Sequence, residues 1–338
     1  MKRRSETRVS AGAAGLLLPD YLARRFTYLD RIGWLREIAA GAVRVNGVPA
    51  APDYLLAPGD RLVYQPGEAA EPPVDNRYRI IYADDHIIAV DKPGNLPCHP
   101  GGRYYQNTLW AYLRPVDYNP RLGFVHRLDR ETSGLVLLAR RPDVARACAA
   151  QFARGTVSKR YFAIVEGRFP RTPMTVEGTI GPDPVSPVRK KQRFRPGPAD
   201  DAFGPARDGD RPAGRPARTR LRGLWTRDGI SLVTTEPLTG RTHQIRATLL
   251  ALGYPVVGDK LYGPDDRIFL RFIADRLTPA DRRRLVLNRQ ALHAARLTID
   301  HPVTGARLRL RAPLPPDLRT LLKRTADHAD RPNRETDR

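Results

Sequence analysis

Residues 124–134 read Phe124-Val125-His126-Arg127-Leu128-Asp129-Arg130-Glu131-Thr132-Ser133-Gly134. The turn-forming pair Asn119-Pro120 precedes this stretch, and the apolar run Leu135-Val136-Leu137-Leu138 follows it. The segment therefore leads from a turn into a buried strand. Asp129 sits between Arg127 and Arg130. Nearby positive charge lowers a carboxyl pKa, and an ionised carboxylate held in place can act as a nucleophile. On physical grounds alone, a surface turn with an ordinary ion pair is the simpler reading.

Outward from this stretch, the chain from about 76 to 320 mixes short β-rich runs with helices. Ile80-Ile81-Tyr82, Ile87-Ile88-Ala89-Val90, Leu135–Leu138 and Tyr161-Phe162-Ala163-Ile164-Val165 read as strands. Pro142–Phe152 reads as a helix with Pro142 in its first turn. Thr242–Leu252 reads as another, capped by Thr242 and ended by Gly253 and Pro255. The order is no regular alternation of strand and helix. It predicts an α+β domain with a mixed, mostly antiparallel sheet. Residues 195–218 are rich in Pro, Gly, Asp and Arg and predict a flexible insertion. The basic run Arg189-Lys190-Lys191-Gln192-Arg193-Phe194-Arg195 just before it suits either a phosphate clamp or a solvated loop. The charged stretch 321–338 predicts a frayed tail.

Residues 1–75 read as a small separate α/β module. A helix starts near Leu16–Ala23 with Pro19 in its first turn, and Ile32, Leu35, Ile38 and Ala39 give a second that stops at Gly41. Val43-Arg44-Val45 then meets the turn pair Asn46-Gly47, a strong hairpin signal. Pro58-Gly59-Asp60 turns into the strand Leu62-Val63-Tyr64, and Pro66–Pro73 has linker composition.

The 338 residues carry 58 Lys and Arg against 36 Asp and Glu, a formal net charge of +22. Such an excess repels itself across a folded surface but suits a polyanion, because each neutralised phosphate releases a counterion. The two cysteines, Cys98 and Cys148, stand in no zinc-type spacing. No apolar run reaches the roughly 20 residues needed to span a bilayer, and Ala11–Leu18 is too short for a signal peptide. The expectation is a soluble, cytoplasmic, nucleic-acid-directed protein, without metal and without a protein partner, acting as a monomer.

His126-Arg127-Leu128-Asp129-Arg130-Glu131-Thr132-Ser133-Gly134 resembles the signature of the RluA family of RNA pseudouridine synthases, and further segments follow in family order. Asp91-Lys92-Pro93-Gly94 with Pro97-Cys98-His99-Pro100-Gly101 is similar to the first family motif and would shape one wall of the cleft. Lys159-Arg160-Tyr161-Phe162-Ala163 and Leu238-Thr239-Gly240-Arg241-Thr242-His243-Gln244-Ile245-Arg246 are similar to later ones. Pro255–Gly263, Leu292-His293-Ala294 and His301–Gly305 complete the pattern as scaffold. The first 75 residues resemble the S4 RNA-binding domain.

The resemblance implies a catalytic Asp129, a Tyr161 that stacks on the base and moves a proton, and an Arg246 paired to Asp129. Arg127 would fill the stack vacated by a flipped-out uridine. His126, Arg130, Arg241 and His243 would line the RNA path, with structural duty the simpler role for His243. Arg189, Lys190 and Lys191 would meet phosphates, and Arg24, Arg25 and Arg44 would form an RNA face on the N-terminal module. The implied reaction transfers ribose C1′ from N1 to C5 of uracil and calls for no cofactor. The implied partner is structured RNA, ribosomal large-subunit RNA or transfer RNA. An RNA chaperone without catalysis and a nucleoside hydrolase-like enzyme are the alternatives. Ala247-Thr248 after Arg246 and the long 195–218 segment depart from the usual pattern.

Overall fold

The computed structural model describes residues 4–26, 29–67, 71–117, 121–197, 214–263 and 265–327. By its internal contacts the chain divides into two compact units, residues 1–73 with 99–111, and residues 74–98 with 112–338.

In the first unit, β1 (Ser5–Arg8) is followed by α1 (Leu18–Arg25) and α2 (Arg31–Ala39). Leu18, Tyr21 and Leu22 of α1 turn inward against Trp34 and Ile38 of α2. The Asp30 carboxylate caps α2 by accepting the Gly33 N–H at 2.7 Å. β2 (Val43–Val45), β3 (Val48–Pro49) and β4 (Arg61–Tyr64) complete a four-stranded sheet in the order β1-β4-β2-β3. Asn46 and Gly47 both take positive φ, as a two-residue hairpin turn requires. Buried Asp60 ties the unit together, accepting from Asn46 Nδ2, Tyr54 Oη and the Ala57 N–H.

One segment departs from the expected boundary near residue 75. His99–Ala111 belongs to the first unit, although the sequence placed His99–Gly101 on the wall of the catalytic cleft. The physical reason is local: the Glu71 carboxylate accepts the N–H groups of Tyr105, Gln106 and Asn107.

The chain then passes through α3 (Leu109–Asp117). The second unit is built on an eleven-stranded sheet. Its strands are β5 (Arg79–Ala83), β6 (Ile87–Lys92), β7 (Gly123–Phe124), β8 (Ser133–Ala139), β9 (Ser158–Glu166), β10 (Met174–Pro182), β11 (Gln192–Pro196), β12 (Arg215–Arg227), β13 (Ile230–Pro237), β14 (Leu292–Asp300) and β15 (Arg307–Arg311). The order is β11-β10-β12-β13-β9-β14-β8-β6-β5, with β15 on β14 and β7 on β8. β14 and β8 pair in parallel, and the other described pairs are antiparallel. This is the mixed, mostly antiparallel α+β sheet that the strand and helix order predicts. Helices α4 (Pro142–Arg154), α5 (Gln244–Ala251), α6 (Arg267–Ile273), α7 (Pro279–Leu285) and α8 (Pro316–Asp327) accompany it. Leu249 of α5 and Leu318 of α8 pack with Ile164, Leu221, Val233 and Leu292. Val144 and Cys148 of α4 pack with Leu135, Leu137, Leu297 and Ile299. Both cysteines are buried free thiols.

The parallel pairing has a steric condition. Gly134 at φ +109 opens β8 against β14, and a Cβ there would lie 2.3 Å from the Ala294 carbonyl oxygen. Segment 124–134 thus ends on the one residue type that lets the strand after Asp129 reach its neighbour.

Three expectations are corrected. Both ends of the 195–218 insertion are strand: Arg195 pairs with Thr179 and Arg218 with Glu177, because β10 offers two open edges. Residues 198–213 lie outside the described residues. The tail does not fray at 321, since α8 continues to Asp327 with Leu318 and Leu321 buried; residues 328–338 lie outside the description. Thr242 does not cap α5. His243 holds the capping position in a left-handed conformation, φ +57, and makes no side-chain capping bond.

Candidate active site

Asp129 stands on a short loop that is fastened through its backbone as well as its side chains. The buried Lys92 ammonium at the end of β6 donates to the carbonyls of Pro93, Leu96 and Arg130 at 2.8, 2.9 and 3.1 Å. The Leu96 N–H donates to the same Arg130 carbonyl. Arg289 Nη1 donates to the Glu131 carbonyl, and the Thr132 N–H donates to the Asp129 carbonyl. Gln290 Nε2 reaches Thr132 Oγ1 at 2.5 Å. Burial pulls the Lys92 ammonium down to about 8, so it remains mostly protonated at neutral pH. The carbonyls of Asp129, Arg130 and Glu131 are occupied, and a third of the Asp129 side chain stays exposed.

The side chain that meets it comes from α5. Arg246 Nη1 donates to Asp129 Oδ2 at 2.7 Å. The other edge of the same guanidinium donates from Nε and Nη2 to the two oxygens of Asp259 at 2.6 and 2.7 Å. Asp259 is itself fixed by the N–H groups of Leu261 and Tyr262, both at 3.0 Å. The Tyr262 ring lies under the guanidinium, 4.7 Å from ring centre to Cζ. Side-chain exposure rises along the chain Asp259, Arg246, Asp129 from 0% to 8% to 33%. The buried acid therefore anchors the fork, and Asp129 is the end presented to an incoming group.

Electrostatics favour an ionised Asp129. Burial alone would raise its pKa, but the charge of His243 in its protonated form at low pH, the charge of Arg246 and the bonds from Arg246 and Gln290 outweigh it and hold the carboxyl below the usual range. His243 Nε2 lies 3.7 Å from Asp129 Oδ1, and its Nδ1 shares a 2.8 Å hydrogen bond with Tyr262 Oη. Burial drives the His243 imidazole down to about 4, so it is neutral at pH 7 and the positive charge beside Asp129 is that of Arg246. Burial, and then the charge of Asp129, push the Tyr161 hydroxyl above the ordinary phenol range. Tyr161 lies half-buried on β9 and is a protonated phenol at pH 7.

The other residues singled out from the sequence separate into groups. Arg130 pairs with Glu131 at 2.9 Å and lies over the Phe272 ring, while Glu131 is also held by Lys260 at 2.9 Å. Arg127 is exposed on the Asp129 loop. Lys190 is an exposed residue, with its ammonium 4.1 Å from the Phe269 ring centre. Its pKa falls to about 8 through desolvation of the head and then the charge of Arg246, opposed by Asp129. The turn that carries it is tied to the site by the Gln192 N–H donating to Tyr262 Oη at 2.7 Å.

Two expected RNA contacts are internal instead. His126 Nε2 accepts the Leu137 N–H at 3.2 Å and its ring packs on Phe152, while burial draws its pKa to about 4. Lys191 pairs with Asp266 at 3.0 Å and Asp183 at 3.8 Å. Arg241 Nε donates to the Pro216 carbonyl, and Arg189 is exposed beside Lys190. Arg24, Arg25 and Arg44 are exposed on the first unit.

Asp259 and Tyr262, which the sequence offers only within the segment Pro255–Gly263, complete the site together with Gln290, which no motif of the sequence singles out. The available signal was an acid inside the apolar segment Pro255–Tyr262, since a buried carboxylate requires a cation. Among the described residues no group of His, Cys, Asp and Glu could hold a metal ion, and no helix is long and apolar enough to cross a membrane.

An ionised acid aimed outward by an anchored arginine, beside a protonated tyrosine, defines a site for covalent or proton-transfer chemistry on a polar substrate. Comparison with known proteins gives this class a name. Residues 86–251, which contain Asp129, Tyr161 and Arg246, match the RNA pseudouridylate synthase family. The chain is 32% identical to the ribosomal large subunit pseudouridine synthase D of Pseudomonas aeruginosa, over 91% of this chain and 89% of that protein. It is 30% identical to the ribosomal large subunit pseudouridine synthase C of Vibrio vulnificus, covering 89% and 90%. Among solved structures, human RNA pseudouridylate synthase domain containing 1 matches with a TM-score of 0.53 at 26% identity, over 74% of this chain and 89% of that one. The chain belongs to the RluA family of RNA pseudouridine synthases and is an isomerase acting on RNA.

Proposed function

We propose that this enzyme isomerises uridines of large-subunit ribosomal RNA in the cytoplasm, with Asp129 as the catalytic carboxylate. The observation that carries the residue assignment is the Asp259–Arg246–Asp129 chain, which keeps one carboxylate charged, fixed and accessible. In the reaction the N1–C1′ bond breaks and a C5–C1′ bond forms. N1 gains a proton and C5 loses one, so atoms balance without an oxidant or an energy source. Asp129 serves by attack at C1′, by assisting loss of a 2′ proton, or by addition to C6. Arg246 holds its geometry. Tyr161 supports the base with its ring and offers a hydroxyl proton. Arg127 and Lys190, both exposed, meet the RNA. The ribosomal substrate follows from the names of the relatives.

The test combines a gene deletion with a point variant. Pseudouridine in large-subunit RNA is expected to disappear at one or more positions in the deletion strain and to return with the wild-type gene but not with Asp129→Ala. The purified variant is expected to bind the same RNA within a few-fold of wild type. Restoration of the modification by Asp129→Ala would refute the assignment, and losses confined to another RNA would refute the substrate.

A further inference from the structure

Asp129 uses its two oxygens unequally. Oδ2 accepts from Arg246 Nη1 at 2.7 Å and from Gln290 Nε2 at 3.4 Å. Oδ1 accepts no hydrogen bond from the described residues, and His243 Nε2 stands 3.7 Å from it, beyond hydrogen-bond reach. Oδ2 is the oxygen that is held, and Oδ1 is the one left to react.

The hydrogen on His243 is placed by its other nitrogen. Nδ1 lies 2.8 Å from Tyr262 Oη, and the Gln192 N–H donates to the same oxygen at 2.7 Å. Tyr262 is fully buried, and its hydroxyl has no further partner among the described residues. A buried O–H without an acceptor is costly, and an N–H cannot accept. Tyr262 therefore donates to Nδ1. The ring is neutral at pH 7, because burial draws its pKa down to about 4. A neutral imidazole whose Nδ1 accepts carries its hydrogen on Nε2. That N–H has no partner among the described residues, and Nε2 is not one of the polar atoms sealed from solvent. The backbone holds the ring there in a left-handed conformation, φ +57, which a side chain adopts against a steric cost and which gathers at functional positions.

We infer that His243 is a further catalytic residue, whose Nε2–H donates to a carbonyl oxygen of the target uracil beside the reacting Oδ1 of Asp129. This rests on the reading of Asp129 as the catalytic carboxylate. In each of the three routes open to Asp129, an electron pair moves into the uracil ring, either as the N1–C1′ bond breaks or as C6 is attacked. The carbonyl oxygens take up that negative charge. A fixed neutral donor stabilises it and keeps its own hydrogen, so no proton changes hands at His243. Arg246 already has each of its nitrogens on a carboxylate. A histidine with a purely structural duty would use both ring nitrogens, whereas here Tyr262 fixes one and thereby arms the other.

The experiment uses the full chain, with nitrogen-labelled histidine, and the RNA that wild type modifies. Nitrogen NMR of wild type at neutral pH is expected to show the His243 ring, identified by its loss in His243→Gln, with hydrogen on Nε2 and none on Nδ1. Single-turnover rates on saturating RNA are expected to fall about 100-fold in His243→Ala, with the RNA Kd within about three-fold of wild type. His243→Gln returns an amide N–H at similar reach and is expected to lose only about ten-fold. Hydrogen on Nδ1 in wild type would overturn the inference, whatever the variants do. So would a chemical step in His243→Ala within about three-fold of wild type, or equal losses in the Ala and Gln variants, which would mark a packing role. An Asp129→Ala variant that still isomerised uridine would instead strike the reading of Asp129.

Discussion

Asp259→Asn isolates the role of the anchor from that of the reacting acid. The change keeps the shape of the side chain and one oxygen that can accept the Leu261 and Tyr262 N–H groups. It removes the charge that faces Arg246 Nε and Nη2. Breaking one partner of a buried ion pair costs about 3–5 kcal/mol. Asp129 still faces the guanidinium at 2.7 Å, so Arg246 keeps a counter-charge and the low end, about 3 kcal/mol of stability, is expected. The effect on rate has a different origin. With its inner edge released, Arg246 can rotate toward Asp129 and carry the carboxylate off its line. A misplacement of about 1 Å costs on the order of 100-fold in rate. Single-turnover assays on saturating RNA are expected to show that loss in the chemical step, with RNA affinity within about three-fold of wild type. Denaturant unfolding followed through tertiary circular dichroism would report the stability change. A wild-type rate combined with the expected destabilisation would refute the claim that Asp259 positions Asp129 through Arg246. A variant that lost affinity and kept its rate would refute it equally.

Other expectations follow from single contacts. Gly134→Ala forces a Cβ against the Ala294 carbonyl at a φ of +109, and strain with overpacking should cost about 3 kcal/mol or more, seen as low soluble yield and a lowered unfolding midpoint. Lys190 titrates near 8, and only its protonated form attracts phosphate, so RNA affinity should fall as pH rises from about 7 to 9, with the bound phosphate shifting the limb upward. Lys190→Met should flatten that limb; an unchanged pH profile would remove Lys190 from the RNA surface. With a net charge of +22, log affinity should decline steeply with log salt, and a slope near zero would mean that the basic surface does not meet phosphates.

In the second unit the sequence disclosed β5, β6, β8 and β9, helices α4 and α5, and the segments that carry Asp129, Tyr161 and Arg246, because each is short and locally patterned. β8 carries the unbroken apolar run Leu135–Ala139, and α4 begins with a proline and ends at a left-handed glycine. What stayed hidden depended on distant partners. Asp259 reads as one acid in a scaffold segment until α5 brings Arg246 to it across 13 positions. Gln290 joins the site from 161 positions beyond Asp129. His126 and Lys191 look like RNA contacts in a basic context, but Leu137 and Asp266 occupy them. The edges of the 195–218 segment look like loop because arginine and proline dominate them, while pairing on both sides of β10 overrides that preference.

Tyr161 is where composition and electrostatics give different chemistry. A tyrosine beside a reacting base invites the role of general base, which requires phenolate. At an ordinary pKa near 10, about one phenol in a thousand is ionised at pH 7. Burial and the neighbouring Asp129 charge make the phenolate rarer still. The same charge that keeps Asp129 reactive opposes deprotonation of Tyr161, so one site cannot easily hold both anions. On the proposed reading, the phenol therefore acts as a donor and as a stacking surface. The pH–rate profile under saturating RNA should show no rising limb between about pH 8 and 10, where an ordinary tyrosine base would gain activity. Tyr161→Phe keeps the ring and loses only the donor, and should slow the chemical step by roughly 10- to 100-fold, while Tyr161→Ala loses stacking as well and should be slower. A rate that climbed ten-fold per pH unit through that range in wild type, and stayed flat in Tyr161→Phe, would show that phenolate is the working form and that this electrostatic argument is wrong.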